Sequence, residues 1–362
     1  MFCHQNIFCK RFLSILPVLI IVGMVITPCL RSPSADIVTN DYFLSHKSIE
    51  PSYEQYKLDP SVVIHLREVV LSGREKTIPN EGKVLFLLHG YSVPGYIAFD
   101  LNHENCSMMR YFANAGWDTF AIDYEGHGLS TDPPLIDLPS AFPDAMAPIH
   151  SDVAINDVER AFSFISNLRG VTKLYVLGWS LGASRTAPIY TIRHPETVSK
   201  LVLFAPAYTN LGFIERHRMN ANFIDTKLKV LTSAPDLAGW YSFGSKPEII
   251  VPGAFELYRN LMLASDPKSG ELGGLFRIPA GRFVDLLRAN PQFDASKITV
   301  PTLVIRGSLD TFSIEDDCKL LTEQLGSQDK NFVNIPDASH MIPYEKANVE
   351  FYKIVNNFLE KK

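Results

Sequence analysis

Leu174-Tyr175-Val176-Leu177-Gly178-Trp179-Ser180-Leu181-Gly182 decides how this chain is read. The four apolar residues at its head predict a short buried strand, and residues 183–190 predict a helix. Between them stands Gly178-Trp179-Ser180-Leu181-Gly182, a G-x-S-x-G turn. A serine on so sharp a strand-to-helix turn is strained, and a side chain at either flanking glycine would collide with neighbouring backbone. The return is an exposed hydroxyl beside the N–H groups that open a helix. Pro188 falls inside the predicted helix, where a proline costs ~3 kcal/mol, so a kink or an early stop is expected there.

The strand before the turn is one of several. Lys83-Val-Leu-Phe-Leu-Leu88 and Thr119-Phe-Ala-Ile-Asp123 read as buried strands on the N-terminal side. Leu201-Val-Leu-Phe204, Thr302-Leu-Val-Ile305 and Phe332-Val-Asn-Ile335 follow on the C-terminal side. Helical spacing fills residues 106–116, 152–168, 314–325 and 344–359. Alternating helices and near-continuous apolar strands imply an α/β fold, a mostly parallel, doubly wound sheet covered on both faces. Val62-Val-Ile-His-Leu and Glu68-Val-Val-Leu, broken at Ser72-Gly73, read as early strands in a hairpin.

The alternation lapses between residues 206 and 295, which are rich in proline, glycine and aromatics with short helical patches. That length is too great for a plain loop and reads as a helical cap inserted before the last strands. Residues 61–205 and 296–362 would form the core, and residues 31–60 a linker and N-terminal arm. Residues 1–30 read as a signal peptide or signal anchor, with Lys10-Arg11 ahead of the uncharged apolar stretch 12–30. Export, periplasmic or secreted, or membrane anchoring through residues 12–30 is therefore expected. Three of the five cysteines (Cys3, Cys9, Cys29) lie in that leader, and Cys106 and Cys318 read as small buried apolar side chains.

The 362 residues are 46% hydrophobic and 20% charged with a net charge of -5, an ordinary globular balance. No basic stripe points to nucleic acid. No C-x-x-C or H-E-x-x-H spacing points to a metal, and no cofactor is expected.

A serine hydroxyl needs a base within reach, and the base needs an orienting acid. Asp310 follows a strand in Arg306-Gly-Ser-Leu-Asp310, and His340 follows the last strand in Ile335-Pro-Asp-Ala-Ser-His340. Rival acids are Asp294, Asp316, Asp317 and Asp337. Asp294 precedes its strand, Asp316 with Ser313 resembles a capping box, and Asp337 is nearest the histidine in sequence. Rival histidines are His89, His127 and His194. For His89 the preferred reading is a hydrogen bond that fixes its loop. An oxyanion hole needs two N–H groups, for which Leu181 and Tyr91 are the candidates, Gly90 allowing close backbone approach. Trp179 and Ser92 are candidates for the pocket wall.

Five ordered motifs resemble the α/β-hydrolases: His89-Gly90, Asp123-Tyr-Glu-Gly-His-Gly-Leu-Ser130, Gly178-Trp-Ser-Leu-Gly182, Gly307-Ser-Leu-Asp310 and the late His340. The resemblance spans roughly residues 62–360 and is nearest the capped esterase, lipase and carbon–carbon hydrolase branch. It implies Ser180 as nucleophile, His340 as base and Asp310 as orienter. The serine argues against the dehalogenases and epoxide hydrolases of similar fold, which use aspartate at that place. The expected function is cleavage of a carboxylic ester, with a small ester or lipid-like molecule as substrate. Lactone hydrolysis, carbon–carbon cleavage, perhydrolysis and a non-catalytic binding role are the alternatives. The cap aromatics Phe213, Phe223, Trp240, Tyr241, Phe243, Phe255 and Phe276 would either line an acyl pocket or form the cap's own core.

Overall fold

The computed structural model describes residues 36–209 and 211–361. The strands run β1 (Ile37–Lys47), β2 (Ser61–Leu71), β3 (Val84–Leu88), β4 (Asp118–Asp123), β5 (Leu174–Trp179), β6 (Val198–Phe204), β7 (Val230–Ser233), β8 (Phe276–Pro279), β9 (Thr302–Gly307) and β10 (Lys330–Ile335). The main helices are α1 (Met108–Asn114), α2 (Ser151–Arg169), α3 (Ala187–Arg193), α4 (Phe213–His217), α5 (Leu237–Ser242), α6 (Ala254–Ser265), α7 (Gly281–Arg288), α8 (Glu315–Gln324) and α9 (Asn348–Glu360). Residues 1–30, read from sequence as a signal peptide or anchor, lie outside the described residues with Cys3, Cys9 and Cys29. Among the described residues no helix is long and apolar enough to cross a membrane.

Eight strands form one sheet in the order β1-β2-β4-β3-β5-β6-β9-β10. β1 with β2 and β2 with β4 are antiparallel, and every pair from β4 to β10 is parallel. Successive side chains of a strand point to opposite faces. In β3, Val84, Phe86 and Leu88 enter one core while Leu85 and Leu87 enter the other. In β6, Leu201 and Leu203 part from Val202 and Phe204 in the same way. Helices α1 and α9 cover one face, and α2, α3 and α8 cover the other. Apolar residues are needed on both faces, which is why these strands read as unbroken apolar runs. Cys106 and Cys318 are both buried and free.

Two regions differ from the sequence reading. Within residues 31–60, Ile37–Lys47 is a strand rather than an arm, in register with β2 from Ile37 opposite Leu71 to Lys47 opposite Ser61. Polar residues disguise it, and they are matched across the pair. Asn40 and Tyr42 donate to Glu68, and Asp41 accepts from Arg67. An edge strand needs only one apolar face, so it carries no continuous apolar signal. The hairpin partner of β2 is therefore β1, and the two early strands read from Val62 and Glu68 are the single strand β2. The second difference lies between β6 and β9, where β7 and β8 pair antiparallel beside the helices. Each strand of that pair is four residues long, too short to stand out.

Candidate active site

β5 delivers Ser180 at the C-terminal edge of the parallel sheet. Ser180 has φ 58°, in the left-handed region, and its N–H donates to Phe204 O at 2.9 Å, which ties the turn to β6. A Cβ on Gly178 would lie 2.6 Å from Gly182 O, and one on Gly182 would lie 2.3 Å from Leu88 O. Both glycines are thus imposed by backbone contact. The chain then makes a wide π turn over Gly182–Thr186, closed by Ala187 N–H to Gly182 O, before α3 begins. Pro188 falls in the first turn of α3. The kink expected at the proline is taken up by the turn ahead of it, and the helix restarts where a missing N–H costs nothing.

Asp310 follows β9 and His340 follows β10, and the two meet. His340 Nδ1 lies 2.7 Å from Asp310 Oδ2. Asp310 Oδ1 accepts from Phe312 N–H at 2.8 Å and Ser313 N–H at 2.9 Å, and Arg306 holds its main-chain oxygen. The His340 ring packs between Phe243 and Phe312, with centroids 5.2 and 5.1 Å away. The rival acids are engaged elsewhere. Asp337 is exposed, and its N–H donates to Ser308 Oγ. Asp294 accepts from Ser296 N–H, and buried Asp317 accepts from the N–H groups of Tyr208 and Thr209 where the chain leaves for the cap. The capping box of Ser313 and Asp316 does not form. Ile314 occupies the cap position of α8, Asp316 is exposed, and Ser313 Oγ donates to Pro206 O. Ser313 is drawn inward because Asp310 holds its N–H.

The loop after β3 runs against the serine. A Cβ on Gly90 would lie 3.0 Å from Ser180 Cβ and 3.6 Å from Ser180 Oγ. His89 is fully buried. Tyr124 N–H donates to its Nε2 at 3.4 Å, which assigns the ring proton to Nδ1, the donor to Gly90 O at 3.0 Å. Burial, with the nearby His127 and Arg282, holds His89 well below the usual histidine range. It is a neutral loop-fixing residue. His127 Nε2 lies 3.0 Å from Tyr91 O, and burial together with Arg282 lowers His127 to about 4. His194 sits away from this loop, with Nε2 2.8 Å from Glu159.

Ser180, Leu181, Tyr91, Ser92, Trp179 and His340 line one cavity of about 160 Å³, far more than a water molecule needs. Asp310 stands behind His340. Trp179 has a second part that its sequence position did not reveal. It stacks on Phe204 at 5.6 Å and donates Nε1–H to His340 O at 3.2 Å, which steadies the histidine loop. The aromatics singled out between residues 206 and 295 divide. Phe213, Trp240, Phe243 and Phe276 line the cavity. Phe255 packs edge-on against Trp240, and Phe223 and Tyr241 are exposed. Phe283 and Phe312 complete the wall, and the sequence reading singles out neither as a pocket residue. Among the described residues no cluster of His, Cys, Asp or Glu is arranged to hold a metal ion.

The sequence pattern of the α/β hydrolase fold matches residues 83–347. The chain belongs to the α/β-hydrolase family. Its fold is similar to that of a malate-bound thermophilic esterase from Thermogutta terrifontis, with a TM-score of 0.58 at 14% identity over 88% of this chain and 98% of that one. A monoacylglycerol lipase from Paleococcus ferrophilus aligns with TM-score 0.52 and 18% identity over 76% and 93% of the two chains. The enol-lactonase of Burkholderia xenovorans LB400 aligns with TM-score 0.53 and 16% identity over 83% and 97%. No functionally curated protein matches this α/β hydrolase in sequence.

Proposed function

We propose that this α/β hydrolase cleaves a carboxylic ester with an apolar acyl group by a serine mechanism. The observation that carries the reading is the cavity itself. It joins a serine held at positive φ to a histidine whose other nitrogen is engaged by a carboxylate, under an apolar cap wall. Ser180 Oγ attacks the ester carbonyl while His340 Nε2 takes its proton, and Asp310 steadies the imidazolium. The N–H groups of Tyr91 and Leu181 receive the developing oxyanion. His340 then protonates the departing alcohol. It next deprotonates the water that releases the acid from Ser180. Phe213, Phe243 and Phe276 favour an acyl chain over a charged substrate. Esterases, a lipase and a lactonase of the same fold support oxygen-ester chemistry. Residues 12–30 would carry the enzyme out of the cytoplasm or hold it at a membrane.

A panel of p-nitrophenyl esters from acetate to palmitate tests the substrate class. Turnover by the wild type, peaking at an apolar chain and absent in Ser180→Ala, is the expected result. A folded wild type that turns over none of them would contradict the proposal.

A further inference from the structure

Arg282 is an arginine of the cap that lies inside the core. It stands on α7, is 1% exposed, and makes no ion pair among the described residues. Its Nη1 donates to Gly90 O at 3.0 Å. Its Nη2 donates to His89 O at 3.2 Å and to Thr186 Oγ1 at 3.3 Å. The guanidinium lies 4.3 Å from the centre of the Tyr124 ring, and Nε has no partner. Burying a cation with no carboxylate in direct contact costs several kcal/mol, of the order found for an ion in a protein interior, and Asp157 and Asp285 act on it only from a distance. Three oxygen acceptors and a ring face offset that cost. Two of those acceptors are the main-chain carbonyls next to Ser180.

We propose that Arg282 is the positioning residue of the oxyanion hole, pinning and polarising the Gly90–Tyr91 peptide. This rests on the serine-hydrolase reading above. The C=O of Gly90 and the N–H of Tyr91 belong to one planar trans peptide, so they point in opposite directions. Gly90 O accepts from both Arg282 Nη1 and His89 Nδ1, which fixes the plane. The opposite end of that plane, Tyr91 N–H, is then fixed as well. A carbonyl bonded to a charged donor also strengthens the N–H at the far side of its own peptide. The His127 ring lies between the carbonyls of Tyr91 and Glu125, 3.0 and 3.1 Å from its two nitrogens. Through Thr186 the same guanidinium reaches the turn that carries Leu181, the other donor.

This arrangement links the cap to the chemistry. α7 docks through Gly281 N–H to Pro148 O at 2.9 Å and through Asp285, which meets His150 Nδ1 at 2.8 Å and Ser151 N–H at 2.7 Å. A Cβ on Gly281 would lie 2.6 Å from Pro148 O, so only glycine admits this approach. Phe283, the residue after Arg282, stacks on Tyr91 at 4.9 Å. The cap therefore shapes the pocket and also sets the donor.

The test uses wild type, Arg282→Met and Arg282→Lys on p-nitrophenyl butyrate, with a butyl trifluoromethyl ketone as tetrahedral mimic and melting temperature as a fold control. Arg282→Met is expected to lower kcat about 10–100-fold, below the full loss of an oxyanion donor, with KM within about twofold. The ketone should weaken by the factor lost in kcat/KM. Lysine keeps the charge but cannot span the three oxygens, so Arg282→Lys should fall between the two. Wild-type kcat and ketone affinity in either folded variant would overturn the proposal, as would a loss confined to KM. If Arg282→Met does not fold, Arg282→Lys decides by the same criteria. A wild type that resists a fluorophosphonate would instead remove the serine reading, and the clamp with it.

Discussion

His340 Nδ1 and Asp310 Oδ2 are 2.7 Å apart, and the second Asp310 oxygen is bound by two consecutive backbone N–H groups. The carboxylate is therefore held at both ends, and it fixes which nitrogen of His340 carries the proton. In Asp310→Asn the amide oxygen can still accept from Phe312 and Ser313, but its NH₂ then faces Nδ1. The histidine proton is driven to Nε2, the nitrogen that the proposed mechanism needs to receive the serine proton. kcat should fall by about three to four orders of magnitude with little change in melting temperature. A larger loss in Asp337→Asn than in Asp310→Asn would contradict the pairing.

His340 and His89 should separate cleanly. His340→Ala removes the base of the proposed mechanism and should leave acylation too slow to follow on the wild-type timescale. His89→Ala removes one of two hydrogen bonds to Gly90 O and should cost about tenfold in kcat, the remaining bond from Arg282 keeping the loop in place. Stopped-flow acylation with a p-nitrophenyl ester measures both. The opposite ranking would make His89 the base.

Glu125 should set a pH dependence of stability. Burial, then the charge of Asp157, pushes its carboxyl up to about 8. Tyr53 donates to Oε1 at 3.0 Å, and Oε2 has no partner. The folded state keeps the proton up to about 8, whereas the unfolded chain releases it near ~4.3. Between those values the folded state binds more protons, so stability falls as pH rises. Glu125→Gln mimics the protonated form. Its melting temperature relative to wild type should climb from about pH 5 to about pH 8 and level off above. A difference independent of pH would contradict the assignment.

What could be read from sequence was local. The apolar runs of β3, β5 and β6 declare buried strands, and Gly178 and Gly182 declare a turn with no room for side chains. Asp310 and His340 could be nominated because each follows a strand in the chain order that the resemblance implies, and the two side chains meet. β1 was not, because Asn40, Asp41 and Tyr42 in it are matched by Glu68, Arg67 and His65 on the neighbouring strand, partners that its own sequence does not name. β7 and β8 pair across the residues 234–275 that separate them, and nothing in either four-residue stretch names its partner. Ser313 and Asp316 matched a local motif but lost to the tertiary demand of Asp310. Arg282 gave no signal, since one arginine on an amphipathic helix ordinarily faces solvent.

The most direct test is intact-mass labelling of the protein with a fluorophosphonate, wild type beside Ser180→Ala. One adduct on the wild type and none on the folded variant is the predicted result, the mark of an activated serine at position 180. An unlabelled, well-folded wild type, or an adduct that persists in Ser180→Ala, would contradict the account.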